Sequence, residues 1–143
     1  MNLTKLEDQL IQHEGLRLDM YKDTVGIETI GVGRNLRHVG LRSEAEARFL
    51  LRSDIVAIRA ELETALPWIA DLDEVRQRVL MDMAFNLGVS GLMKFTKTLS
   101  LVADGHYLAA SEEMLRGSGG GPSKWARQVG QRATTLSSMM ADG

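Results

Sequence analysis

Glu14, Asp23 and Thr29 are the residues of this 143-residue chain whose types and spacing best suit chemistry. They fall within HEGLRLDMYKDTVGIETIGVGRN, residues 13–35. One carboxylate stands at the end of a helical pattern, a second at a turn, and a hydroxyl on the strand after it. Carboxylates facing each other across a groove can divide the acid and base roles, and such a pair suits cleavage of a glycosidic bond. Each residue also has a plainer reading. Glu14 fits an ordinary surface position. Asp23 fits the first position of a type I turn with Gly26 at the fourth. Thr29 suits a strand because it is β-branched. Three separate plain readings are a weaker account than one shared groove.

The elements that must position these side chains follow from the pattern around them. Thr4 with Glu7 reads as a capping box, with Leu3, Leu6 and Leu10 on one helical face, and that helix runs out at Glu14-Gly15. An apolar stripe behind Glu14 would keep it partly out of water, which favours the protonated form that a general acid needs. A strand is predicted from Leu16 to Lys22, a turn over Asp23-Thr24-Val25-Gly26, and a second strand from Ile27 to Val32. With that alternation carried on to Gly33, Ile27, Thr29, Gly31 and Gly33 share one face, which leaves room for a ligand against the backbone.

Helices dominate the rest. Ser43 with Glu46 opens a long helix striped by Leu51, Ile55, Ile58 and Leu62, and Pro67 marks its end. Asp71 with Glu74 reads as a third capping box, leading through Val75, Val79 and Met83 to a stop near Gly88. A segment with Leu92, Phe95, Leu99 and Val102 closes at Gly105, Tyr107 to Arg116 is helical in composition, and a last helix opens at Ser123. On that helix Trp125, Val129 and Leu136 form a stripe that Arg132 shares, so Arg132 must snorkel outward or find a carboxylate. Between the last two helices, GSGGGP (117–122) has flexible-linker composition, either a natural solvent loop or an engineered insertion. Neither reading gives it a catalytic role. The class predicted is α+β, mostly helical, with one small hairpin element near the start.

The totals narrow the partners. The chain is long enough for one domain, or for two lobes sharing a helix. With no cysteine, disulfides and thiolate metal sites are excluded, and His13, His38 and His106 stand at no ligand spacing, so no metal or cofactor is expected. No apolar run approaches the length of a membrane span, so stable membrane insertion is not expected. The start, MNLTKLEDQLIQ, carries no basic leader with an apolar core. Net charge is −2, with 9 basic and 11 acidic residues up to residue 65 and 8 of each after it. No basic face of the kind that holds nucleic acid is visible in that balance.

The segment around the three residues resembles the phage-type lysozymes, the endolysins of glycoside hydrolase family twenty-four. Their frame, E-G-x-x-L-x-x-Y-x-D-x-x-G-x-x-T-I-G-x-G, is filled by Glu14, Gly15, Leu18, Tyr21, Asp23, Gly26, Thr29, Ile30, Gly31 and Gly33. SEAEARFLLRSDI (43–55) is similar to that family's interlobe helix, RVLMDMAFNLGVSGLMKFTKTL (78–99) to its central helix, and SKWARQVGQRA (123–133) to its C-terminal segment. Arg34-Asn35 follow the glycines where well-studied relatives carry a histidine, and the near-neutral charge departs from strongly basic relatives, which implies weaker wall adsorption.

The resemblance implies a lysozyme-like single domain of two lobes. The small lobe would span about 14–60 with the hairpin at 16–33, and the helical lobe about 61–143 plus helix 3–14. It implies a bacteriolytic muramidase acting on the β-1,4 bond between N-acetylmuramic acid and N-acetylglucosamine of peptidoglycan. Glu14 would be the general acid, with Asp23 and Thr29 placing water and the stereochemistry inverting. Gly31, Phe85, Asn86 and Thr98 would contact the glycan strand, and Arg132 would pair with Glu14. A monomer is expected, accumulating in the host cytoplasm and released to the wall by a holin-like route. A catalytically silent wall-binding or scaffold module of the same fold is the alternative.

Overall fold

A computed structural model of the chain describes residues 2–143. The fold is α+β and mostly helical, with one three-stranded antiparallel sheet. Two units make up the chain, Met1–Leu50 and Leu51–Gly143.

The first unit opens with α1, Leu3–Glu14. Its cap is Asn2, whose side chain accepts from the Lys5 amide at 3.0 Å, and not the Thr4–Glu7 box. A polar side chain immediately before the first leucine of the stripe already satisfies an orphan amide, worth about 1 kcal/mol. The sheet follows as β1 (Arg17–Lys22), β2 (Glu28–Gly31) and β3 (Arg34–Asn35), in the order β1-β2-β3. The second predicted strand is thus shorter than expected, and a third strand follows it. Gly31 and Gly33 take φ of 66° and 62°, so the chain reverses there and Thr29 pairs with Asn35. Gly33 therefore lies in the reversal and not on the face it was expected to share with Thr29. The turn 23–26 forms as expected, with the Gly26 amide donating to the Asp23 carbonyl at 3.0 Å.

Arg34 carries an ion pair at the end of the sheet. Its guanidinium binds both oxygens of Glu46 and donates to the Gly40 carbonyl at 2.6 Å. Glu46 also accepts from the Arg42 amide at 2.6 Å, and its own amide donates to Ser43 Oγ at 3.1 Å. Ser43 and Glu46 thus start α2 (Glu44–Ala65) much as the sequence predicts, with Arg42 in place of Ser43 as the backbone partner of the glutamate. This network ties the end of the sheet to the first turn of α2.

The second unit holds the hydrophobic core. After α2, a 3₁₀ turn at Pro67–Asp71 leads to α3 (Glu74–Leu87), α4 (Val89–Leu92), α5 (Thr96–Ala103), α6 (Tyr107–Leu115), α7 (Lys124–Val129) and α8 (Gln131–Asp142). Asp71 ends the 3₁₀ turn, and Asp73 caps α3 by accepting from the Arg76 amide at 3.0 Å, so the cap sits two residues later than the sequence suggests. Leu62, Val79, Leu80, Met83, Leu92, Val102, Met114 and Met140 are all sealed from solvent. Arg76 fastens the C-terminus to this core. It donates to the carbonyls of Met140 and Ala141, each at 2.9 Å, pairs with Asp73 at 2.7 Å and stacks on the Tyr107 ring at 3.7 Å.

Two segments differ from the sequence reading. The last helix breaks at Gly130, whose φ of 53° and ψ of −119° no helix accommodates. The stripe assigned across it is interrupted, and Arg132 stands on a new helix with 41% of its side chain exposed. The 117–122 run does not behave as an extended linker. It folds back, with the Gly117 amide donating to the Gly121 carbonyl at 2.7 Å, the Ser123 amide to the Leu115 carbonyl at 2.7 Å, and Arg116 bridged to Pro122.

Candidate active site

Asp23 sits at the head of the β1–β2 turn because its side chain closes that turn. Oδ1 accepts from the Val25 amide at 2.9 Å and from the Ile27 amide at 2.8 Å. The main chain adds the Asp23 amide to the Ile27 carbonyl at 2.9 Å. Oδ2 makes no hydrogen bond among the described residues. One oxygen is thus an anchor and the other is a fixed, unengaged acceptor. The turn reading and the functional reading of Asp23 are the two oxygens of one carboxylate.

Thr29 is buried, with 3% of its surface exposed, on β2 opposite Tyr21 of β1. Its hydroxyl donates to the Ile27 carbonyl at 2.9 Å. The proton is therefore committed, and what the hydroxyl can offer a further partner is its acceptor lone pairs. Ile27 joins the two residues, since it donates to Asp23 and accepts from Thr29.

Glu14 ends α1 and lies against the β2–β3 reversal. A Cβ added at Gly33 would stand 2.8 Å from Glu14 Oε2. No side chain fits at that position while the carboxylate stays where it is, which gives Gly33 a specific job. Glu14 is exposed, and no residue of α1 is buried, so the partial desolvation expected for it is not supplied by its own helix. Gly31 pairs with Arg17, whose guanidinium stacks on the Tyr21 ring at 4.5 Å. That stack orders the sheet face beside Thr29. Arg17 gives no sign in the sequence, because a cation–π contact across a bulged strand has no fixed spacing.

The remaining expected residues belong to the second unit. Phe85 on α3 is 44% exposed and lines a cavity of about 540 Å³ with Leu51, Ile55, Met81 and Arg132. Asn86 is fixed by Trp125, whose indole donates to Asn86 Oδ1 at 3.0 Å, leaving the amide NH₂ to point elsewhere. Phe95 meets Trp125 edge-on, with ring centroids 5.8 Å apart. Thr98 is only 2% exposed and lines a second cavity, of about 400 Å³, at the start of α5. Arg132 Nε donates to Asp82 Oδ1 at 2.8 Å, a carboxylate partner that the sequence reading had not considered. Among the described residues, no cluster of three His, Asp or Glu side chains could hold a metal ion.

The mostly helical α+β architecture with its small three-stranded sheet is a lysozyme-like fold. The chain belongs to the phage lysozyme family, whose family model matches residues 11–137. It is 25% identical to the probable T4-type lysozyme 1 of Dictyostelium discoideum, over 99% of this chain and 96% of that protein. The probable T4-type lysozyme 2 of the same organism is 28% identical with the same coverage. A SAR-endolysin of Bacteriophage PS119 is 26% identical over 78% of this chain and 67% of that protein. The first two alignments run over 169 positions, so those relatives carry residues that this 143-residue chain lacks. Family membership supports a muramidase-type function. No described helix is long and apolar enough to cross a membrane.

Proposed function

We propose that the protein is an endolysin that hydrolyses the β-1,4 bond between N-acetylmuramic acid and N-acetylglucosamine in bacterial peptidoglycan. The observation that carries the reading is the Asp23–Ile27–Thr29 arrangement, in which Asp23 Oδ1 and the Thr29 hydroxyl proton are engaged while Asp23 Oδ2 makes no hydrogen bond among the described residues. Glu14 protonates the departing glycosidic oxygen. Asp23 Oδ2 takes a proton from the attacking water while Thr29 accepts its second hydrogen, and the anomeric centre inverts. Gly31, Phe85, Asn86 and Thr98 contact the sugars, Phe85 by stacking and Asn86 through its amide NH₂. Arg132, whose Nε and Nη2 both donate to Asp82, has Nη1 left to pair with Glu14. A two-lobe division is part of this proposal, as are a monomeric state and passage from host cytoplasm to wall by a holin-like route.

Zymography on bacterial cell walls tests it. Wild type clears the walls and Glu14→Gln, matched in fold by circular dichroism, does not. Equal clearing by both would remove Glu14 from the acid role, and no clearing by wild type would favour a silent wall-binding module.

A further inference from the structure

Glu14 owes its place to the backbone it lies on. A methyl at Gly33 would stand 2.8 Å from its Oε2, 3.2 Å from Cδ and 3.4 Å from Cγ, so the whole end of the side chain rests on the Gly33 main chain. The two ion pairs of the first unit, Arg34–Glu46 and Arg48–Glu44, both leave it out. Where the Gly33 backbone goes, the space left to the carboxylate goes too.

The strand that follows is a weak anchor for that backbone. β3 is two residues long, and its register pairs only Thr29 with Asn35 and Ile30 with Arg34. Gly31 and Gly33, both at positive φ, join it to β2, and glycine is the residue least restrained to one conformation. The restraint comes from the side chain of Arg34. Its Nη1 donates to Glu46 Oε1, and its Nη2 to Glu46 Oε2 at 3.2 Å and to the Gly40 carbonyl at 2.6 Å. Glu46 is itself fixed, by the Arg42 amide at 2.6 Å and by its place in the first turn of a 22-residue helix. The Arg34 and Glu46 side chains are 28% and 27% exposed, against 66% and 77% for Arg48 and Glu44, so this pair is the less hydrated and the more restrained of the two. A planar fork reaches a carboxylate through two nitrogens and a carbonyl besides, and a lysine ammonium does not match it.

We infer that Arg34 is a positioning residue for the proposed proton donor: it clamps the residue after Gly33 to Glu46 and Gly40, and so holds the main-chain wall that aims the Glu14 carboxylate. The inference rests on the reading of Glu14 as the acid and deepens it. The first turn of α2 then takes part in turnover through two contacts in series, Glu46 with Arg34 and Gly33 with Glu14.

The test is Arg34→Lys, which keeps the charge and loses the fork, assayed in the full chain below its melting transition. Arg48→Met, at the exposed ion pair, is the control. On soluble wall fragments Arg34→Lys should lower kcat about tenfold and leave KM within about twofold, because a misplaced reacting group costs turnover and not binding. Arg48→Met should leave both unchanged. Gly33→Ala, whose added methyl already displaces Glu14, should mask the effect, so that adding Arg34→Lys lowers kcat less than about twofold further. An unchanged kcat for Arg34→Lys in a protein that needs Glu14, or losses that multiply in the double variant, would overturn the inference. A ¹³C label in the Glu14 side chain reads the clamp without turnover. Its carboxyl signal should move in Arg34→Lys and stay in Arg48→Met, and an unmoved signal in Arg34→Lys would also overturn the inference. A moved signal in a protein whose lysis ignores Glu14→Gln would show that the clamp stands and only the reading of Glu14 as the acid has failed.

Discussion

Gly33→Ala separates the cost of backbone strain from the cost of displacing Glu14. Gly33 has φ of 62°, and an alanine held there costs about 1–2 kcal/mol. For a chain of this size that lowers Tm by about 3–6 °C. The new methyl also stands 2.8 Å from Glu14 Oε2, about 0.6 Å inside ordinary contact. The far end of a glutamate swings away easily, so this clash is relieved at little cost in stability. It is relieved by moving the proposed proton donor. Misplacing a reacting group by about 1 Å can cost 10²-fold, so the wall-lysis rate should fall about 10- to 100-fold. Gly105→Ala is the control, since Gly105 has φ of 76° and nothing within 4 Å of an added Cβ. It should show the same Tm loss with the lysis rate unchanged. Turbidity clearing of wall suspensions, paired with calorimetry, reads both quantities. Equal lysis by the two variants would refute the placement of Glu14 over Gly33.

Arg76→Met should cost about 3 kcal/mol, because two carbonyls of α8 lose a charged donor and Asp73 loses its partner. Urea denaturation reads it, and a loss below about 1 kcal/mol would contradict the C-terminal latch. Asn86→Ala leaves the Trp125 indole without its acceptor and should destabilise by about 1–2 kcal/mol while raising KM for wall fragments. An unchanged KM would remove Asn86 from the sugar contacts. The Arg34 guanidinium, then the Arg42 amide, hold the Glu46 carboxyl below its ordinary 4.5, outweighing the opposing effect of burial. A depressed folded value means that this stabilisation is complete above pH 4.5 and is lost as pH falls through the lowered value. Glu46→Gln should therefore be less stable at neutral pH and show a flatter acid dependence below pH 4.5. Parallel curves would count against the network.

The sequence resolved what local chemistry dictates. The 23–26 turn, the ends of α1 and α3 and the Ser43 start of α2 all rest on side chains acting within a few residues. It failed where two local signals competed or where a partner was distant. Asn2 and Asp73 capped helices assigned to Thr4 and Asp71, since several eligible side chains crowd each start. Periodicity carried the last helix across Gly130 because a stripe has no term for one backbone angle, and Asp82, fifty residues from Arg132, left no trace nearby. The glycine run read as a linker because composition is silent on the hydrogen bonds that fold it back.

The stereochemistry of the first product tests the central claim most directly. A defined glycan oligomer is cleaved in the NMR tube, and the new N-acetylmuramic acid end is observed before mutarotation. If Asp23 Oδ2 aims water at the face opposite Glu14, the α anomer appears first and Asp23→Asn releases almost none of it. A β anomer first, or undiminished release by Asp23→Asn, would contradict the account.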